Sequence, residues 1–300
     1  MIVKNEEQMI AQALDSIKDL ADEIIVCVDN RSTDATKKIV SRYTKRVYDF
    51  TWQDNFSDAR NFSLSKATGD WILVLDADEV IALEDYERIR ELMKKDVVAY
   101  AFPQISYTND TAQYHYTPLL KNNSLHVRYH SYWKNFSGYI SCHIIRLFRN
   151  HRGIVFDGAV HESVDASCKD KGKVEQIPVW IHHYQFARGL EHLKEKQLQY
   201  LHIYEKNIAT YPDQARAYRD MASIYYTYTP HYEKAREYFE KSLALNNKNK
   251  KTYVGLGLCY LKLGGIERAR KIFEQALHLF PHDQQLRMLL EVTHEQQKDL

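Results

Sequence analysis

Three carboxylates fill four consecutive positions, Asp76-Ala77-Asp78-Glu79, directly after the apolar run Trp71-Ile72-Leu73-Val74-Leu75. Such a run reads as a buried strand of a parallel sheet. Carboxylates this close repel one another unless something positive sits among them. Open α/β sheets bind their ligands at the carboxyl ends of their strands. A hard divalent cation, held by one or two of these acids and by substrate phosphates, would account for the cluster. Acids after a strand also cap the following helix, so the other polar clusters have to support the reading. Those clusters are Asp29 at the end of Glu23–Asp29, Asp58-Ala59-Arg60-Asn61, Asp157 to Glu162, and His182-His183.

The elements that would position them alternate. Glu6 to Leu20 carries Met9, Ile10, Ala13, Leu14 and Ile17 at helical spacing, and Glu23 to Asp29 is a buried strand. Ser32 to Tyr43 opens with good N-cap chemistry. Arg46 to Asp49 reads as a short strand, Asn55 to Ala67 as a helix, Gly69-Asp70 as a turn and Leu83 to Lys94 as another helix. Strands separated by helices of 10–15 residues predict βαβ units and a mostly parallel sheet. Ala99–Phe102, Cys142–Phe148 and Val174–Val179 read as further strands. The polar, aromatic-rich stretches Tyr107 to Tyr116 and His126 to Gly138 read as lids or binding segments.

From Gly189 the chain is helical and repetitive. Tyr226, Ala235, Phe239 and Leu243 recur 34 residues later as Tyr260, Ala269, Phe273 and Leu277. This spacing resembles the tetratricopeptide repeat. Two repeats are read, Ala215–Asn247 and Lys248–Pro281, with a partial one at Gly189–Pro212 and a capping helix at His282–Lys298. Small residues let the helices approach, aromatics fill between them, and each repeat needs a neighbour.

A chain of 300 residues, 44% hydrophobic and 27% charged, is globular and holds one or two domains. A formal net charge of +1 gives no electrostatic case for nucleic acid or an acidic membrane surface. Cys27, Cys142, Cys168 and Cys259 lack zinc spacing, and Cys27 and Cys259 read as buried thiols of a reducing compartment. No apolar stretch approaches the roughly 18 residues of a membrane span. No signal peptide is read, and the expected location is cytoplasmic.

Met1-Ile2-Val3-Lys4-Asn5-Glu6-Glu7, Val28-Asp29-Asn30-Arg31-Ser32-Thr33-Asp34, Ser57-Asp58-Ala59-Arg60-Asn61 and Asp76-Ala77-Asp78-Glu79 stand in order and register. Together they resemble family 2 glycosyltransferases of the GT-A fold. The resemblance covers Met1 to about His183 and is closest to the branch with a tetratricopeptide-like tail, which includes bacterial cell-surface sugar transferases and peptide S-glycosyltransferases of bacteriocins. It implies an α/β GT-A domain, Rossmann-like and mostly parallel, over residues 1–188, and an all-α repeat domain over 189–300. It also implies a metal-dependent inverting transferase that uses a nucleotide-sugar, a UDP-sugar by preference, and a peptide or glycan acceptor. The repeats would hold the acceptor or mediate a homodimer.

The resemblance also implies roles. Asp29 takes the nucleobase, where a carboxylate can accept from a uracil N–H, and Asn5 and Glu7 contact the nucleotide at the mouth of the first strand. Asp58, Arg60 and Asn61 lie beside the donor, with Arg60 near the phosphates, a task that suits a guanidinium. Asp78 ligates Mg²⁺ or Mn²⁺ bridging the diphosphate, and Asp76 contacts the ribose or a water on the metal. Inverting transfer needs a base; after the Arg-Leu-Phe-Arg-Asn strand (146–150) the order of preference is Glu162, His161, Asp157. His183 completes the metal or diphosphate shell.

Gln185 and Phe186 depart from the family's usual Gly and Tyr. The first strand departs too, because the family's begins several residues earlier, so this one is either short or cut. The reading from a different class is a tetratricopeptide scaffold with a catalytically silent donor-binding domain. A nucleotidyltransferase would share the sheet and metal logic, but no glycine-rich phosphate loop follows the first strand.

Overall fold

The computed structural model describes residues 1–111, 116–119, 135–210 and 212–298. It divides into two compact units, Met1–Leu193 and Lys194–Leu300.

In the first unit, β1 (Ile2–Val3), β2 (Val26–Asp29) and β3 (Val47–Phe50) form a parallel sheet in that order, with α1 (Ile10–Asp15) and α2 (Thr36–Val40) between them in sequence. A second sheet has the order β4-β8-β6-β10-β5. Its strands are β4 (Trp71–Leu73), β5 (Glu79–Ile81), β6 (Ala99–Thr108), β8 (Gly138–Arg149) and β10 (Ile181–His183), with β7 (Thr117–Pro118) on β8 and β9 (Val174–Gln176) on β6. The helices α3 (Phe56–Leu64), α4 (Tyr86–Met93) and α5 (Asp165–Lys171) complete it, with a 3₁₀ turn, Leu83–Asp85, before α4.

Parallel pairing therefore holds throughout the first sheet, and the second is mixed. The long strand β8 returns beside β6 and runs antiparallel to both β6 and β4. The central strands bury alternate residues against two cores. Trp71, Leu73, Tyr100, Phe102 and Leu147 pack on one face. Ile72, Ala99, Ala101, Ile145 and Phe148 pack on the other. This is the period of two that a sheet covered on both sides requires, broken on β8 by an irregularity opposite Tyr100 and Ala101 that leaves Ile145 and Leu147 on opposite faces.

Two local findings refine the expected elements. The apolar run does not continue as a strand to the acids: β4 ends at Leu73 and β5 begins at Glu79. Between them a turn closes through Glu79 N–H donating to the Asp76 carbonyl at 3.1 Å. The predicted helix at Ser32–Tyr43 is also shorter, because Ser32 to Ala35 are spent in a capped loop. Much of the two aromatic-rich stretches read as lids lies outside the described residues; Tyr107 and Thr108 end β6, and Gly138 begins β8.

The helices α6 (Gly189–Thr210), α7 (Ala215–Tyr228), α8 (Tyr232–Leu245), α9 (Lys250–Lys262), α10 (Ile266–Leu279) and α11 (Gln284–Lys298) finish the chain. The helix pairs α7/α8 and α9/α10 coincide with the two repeats read from the sequence, and α11 with the capping helix. Ala235 and Phe239 pack with Ala222, Leu256 and Cys259. Ala269 and Phe273 pack with Tyr253 and Leu286. The two glycines of α9 are where its neighbours come close. A Cβ at Gly255 would stand 2.2 Å from the Phe239 ring, and one at Gly257 would stand 2.2 Å from the Phe273 ring.

Candidate active site

The Asp76–Glu79 turn faces β10. His183 pairs across the strands with Glu79, and its Nε2 lies 3.5 Å from Asp78 Oδ2. Its Nδ1 shares a 2.9 Å hydrogen bond with Ser106 Oγ on β6, which fixes the ring. The sequence reading placed both histidines after a strand; they lie on one, so strand alternation separates them. His182 is buried, and its Nδ1 meets Tyr107 Oη at 2.8 Å. Tyr184 N–H donates to the Asp78 carbonyl at 2.9 Å, tying the end of β10 to the turn.

A carboxylate oxygen and an imidazole nitrogen converge here. Among the described residues no group of three or more His, Cys, Asp or Glu side chains could hold a metal. The pair fits a cation that takes two protein ligands and completes its shell with diphosphate oxygens and water. Mg²⁺ at phosphate sites is commonly held by one or two carboxylates and phosphate oxygens, of which Asp78 offers one, and the imidazole of His183 suits a transition ion such as Mn²⁺ better.

Behind the turn lies a cluster of buried charge. Asp76 Oδ1 accepts from Arg60 Nη2, and Oδ2 accepts from Arg146 Nη2 at 2.8 Å. Arg146 Nη2 also donates to Glu79 Oε1 at 2.6 Å, and Arg60 Nε donates to Glu162 Oε1 at 2.9 Å. Burial raises the Asp76 carboxyl, but the two guanidinium groups outweigh it and hold it well below the usual carboxylate range. Burial opposes charge on Arg60 too, and Asp76 and Glu162 reverse this and raise it.

Helix α3 carries Arg60 and anchors the loop that bears the proposed base. Asn55 caps α3. Phe56 N–H donates to the Ala159 carbonyl at 2.9 Å, and Ser57 Oγ to the Gly158 carbonyl at 2.7 Å. Asn61 pairs with the Phe156 backbone through both side-chain atoms, at 3.0 and 2.8 Å. Asn61 thus holds the loop, and Asp58 is exposed. Asp157 and Ser163 exchange backbone hydrogen bonds at 3.0 and 2.9 Å, closing the loop. Asp157 and His161 are exposed, and Glu162 is the member of the three directed at Arg60.

Asp29 is buried at the end of β2 and bidentate with Arg31, with Arg31 Nη2 to Oδ2 at 2.6 Å and Nε to Oδ1 at 3.0 Å. Burial raises this carboxyl, and the hydrogen bonds from Arg31 bring it below its ordinary value. The Arg31 guanidinium lies over the Trp52 ring, 5.5 Å from its centroid. Asn5 and Glu7 serve the neighbouring loop: Asn5 Oδ1 accepts from Thr33 N–H at 2.8 Å, and Glu7 Oε2 accepts from Ala35 N–H at 2.9 Å.

Sequence reasoning assigned no role to Glu79 or Arg146, which it quoted within motifs, and did not single out Ser106. Arg146 carried a signal: an arginine inside the apolar run Ile144 to Phe148 must find buried counter-ions. Glu79, fully buried, is one of them.

The sequence profile of glycosyl transferase family 2 matches residues 1–151, and the chain belongs to that family. A tetratricopeptide repeat profile matches residues 231–292. Over 195 residues the chain is 33% identical to a TPR repeat-containing protein of Synechococcus elongatus, covering 63% of this chain and 42% of that protein. It is 39% identical over 89 residues to an uncharacterized glycosyltransferase of Rickettsia typhi, 30% of each chain. It is 28% identical over 170 residues to the SPbeta prophage-derived glycosyltransferase SunS of Bacillus subtilis, 54% of this chain and 33% of that protein. The chain thus spans less than half the length of each of these relatives. No described helix is long and apolar enough to cross a membrane.

Proposed function

We propose that this chain is a metal-dependent inverting glycosyltransferase that moves a sugar from a nucleotide-sugar, a UDP-sugar by preference, to a peptide or glycan acceptor. The observation that carries the reading is the 3.5 Å approach of His183 to Asp78; Glu162 is linked to the same turn through Arg60 and Asp76. Family membership supports glycosyl transfer, and the donor set at the turn supports a divalent cation.

In this reading Asp29 takes the nucleobase, with Arg31 swinging aside or sharing the base edge. Asp78 and His183 hold Mg²⁺ or Mn²⁺, which when bound offsets the charge that builds on the departing diphosphate. Glu162 accepts the acceptor's proton as the new glycosidic bond forms. Asn61, Ser57 and Phe56 keep the Glu162 loop against α3. The helical repeats take the acceptor, a role in keeping with a scaffold of stacked helices.

The test is release of nucleoside diphosphate from a panel of nucleotide-sugars, with Mn²⁺ and with chelator. Turnover that needs Mn²⁺ or Mg²⁺ and disappears in Asp78→Ala is expected. Metal-independent turnover, or a normal rate in Asp78→Ala, would sink the metal assignment. No release from any donor would sink the transfer reading.

A further inference from the structure

The buried charges of the site form one row. In order of contact they are Glu79, Arg146, Asp76, Arg60 and Glu162, and their signs alternate. Four are almost withdrawn from solvent: the side chains of Glu79, Arg146, Arg60 and Glu162 are 0, 6, 8 and 12% exposed. Asp76, at 30%, is where the row meets solvent, two residues from Asp78. A buried arginine with a single counter-ion is costly, and each arginine here has two. Arg60 Nη1 and Arg146 Nε have no hydrogen-bond partner among the described residues, so carboxylates set where each guanidinium sits.

The far end of the row is anchored to the backbone of the Asp76–Glu79 turn. Glu79 Oε2 accepts from Asp76 N–H at 2.8 Å, while Oε1 takes Arg146 and Gln104 Nε2. The turn thereby grips its own buried acid, which grips Arg146, which grips Asp76 in the same turn. Glu79 and Arg146 are buried, and both are tied to Asp76, the partly exposed member of the row.

We propose that Glu79 and Arg146 are positioning residues for transfer: they hold Asp76, Asp76 holds Arg60, and Arg60 sets the carboxylate of Glu162. Asp76 then serves first as the shared counter-ion of two arginines. The row keeps the metal-side turn and the base-side loop in one register. Without the Arg146 charge, the pull of Asp76 falls on Arg60 alone, and Arg60 turns from Glu162. The proposal rests on reading Glu162 as the base, and the test below separates the two.

The direct readout is the Nε–H resonance of Arg60 in full-length protein labelled with ¹⁵N-arginine, assigned by its loss in Arg60→Lys. Arg146→Met and the isosteric Glu79→Gln should both move it, and Arg146→Lys should return it toward the wild-type position. Glu79→Gln keeps the test open if Arg146→Met does not fold. A resonance unmoved in a folded variant overturns the proposal.

The kinetic readout is UDP release from UDP-glucose and UDP-N-acetylglucosamine with Mn²⁺. Arg146→Met should lower kcat by about tenfold to a hundredfold, the range for outer-shell partners of a site, with the donor KM near its wild-type value. Arg146→Met combined with Glu162→Gln should be no slower than Glu162→Gln alone, since residues acting through one another are not additive. Penalties that multiply overturn the proposal. If wild-type protein releases no UDP, the transfer reading takes that failure, and the Arg60 resonance alone decides the positioning row.

Discussion

Arg60 donates to Glu162 at 2.9 Å across 102 positions of sequence. The pair joins α3 to the loop that also carries Asp157 and His161. In the proposed reading a proton acceptor has to be held in place before geometry can favour transfer, and the ion pair with Arg60 is what holds Glu162.

Glu162→Gln keeps the size of the side chain and a carbonyl acceptor for Arg60, but removes the basic oxygen. Its kcat is expected to fall roughly 100- to 10,000-fold, the usual contribution of a general base. Binding of UDP with Mn²⁺, measured by calorimetry, should stay close to wild type. An unchanged transfer rate removes Glu162 from the role.

Strand alternation on β10 predicts opposite phenotypes for adjacent histidines. Ser106→Ala removes the hydrogen bond to His183 Nδ1 and should raise the Mn²⁺ concentration for half-maximal turnover by about tenfold. His182→Ala leaves the buried Tyr107 hydroxyl without its partner and should cost about 1–3 kcal/mol in urea unfolding, with the Mn²⁺ requirement unchanged. A shifted Mn²⁺ requirement in His182→Ala would contradict the division.

The repeats offer a pH test. Asp283 accepts from Leu286 N–H at 3.0 Å at the start of α11 and from Lys250 Nζ at 2.5 Å. Burial raises its carboxyl, and Lys250 and the backbone outweigh this and lower it. A depressed folded-state value stabilises the protein above the ordinary aspartate range, and that stability is lost as pH falls toward the folded value. Asp283→Asn keeps the cap and loses the charge. Wild type should be the more stable at pH 7, and the difference should hold down to about pH 4 and narrow below it as pH falls toward the folded value. Urea midpoints from neutral pH downward check it; a difference that does not narrow below about pH 4 would show that charge is not the cause.

Gly257→Val puts a branched side chain where even a Cβ meets the fully buried Phe273 ring. The expected loss is about 3 kcal/mol, at the upper end for overpacking, and the helical signal near 222 nm should melt earlier. A variant as stable as wild type would mean that α9 and α10 separate readily.

Much of this was legible in the sequence, for identifiable reasons. Asp76 and Asp78 stand out because acids end an apolar run, Glu162 and His183 are singled out through the family resemblance, and the repeats stand out because Phe239 and Phe273 recur at a fixed period. The missing information is pairwise. That Glu79 is buried, that Arg146 shares its counter-ions with Arg60, and that Asn61 grips Phe156 all depend on which strands come to lie side by side. The mixed pairing of the second sheet escaped for the same reason, since β8 looks alike in either direction until its partner is known. The strand β4 ends at Leu73, before the apolar run does, and the chain then turns to bring Glu79 beside His183; hydropathy has no term for that.

The short strand β10 turns the site into something close to a digital device. It pairs with Ile81, Val80 and Glu79 on one side and with Gln104, Ile105 and Ser106 on the other. A slip of one position flips every side chain to the opposite face, so His183 would move into the place of His182 and Tyr184 into the place of His183. Deleting one residue from the approach to β10 therefore should not weaken the centre gradually. It should set a phenol where the imidazole meets Asp78, and the reading frame of three residues decides which protein results.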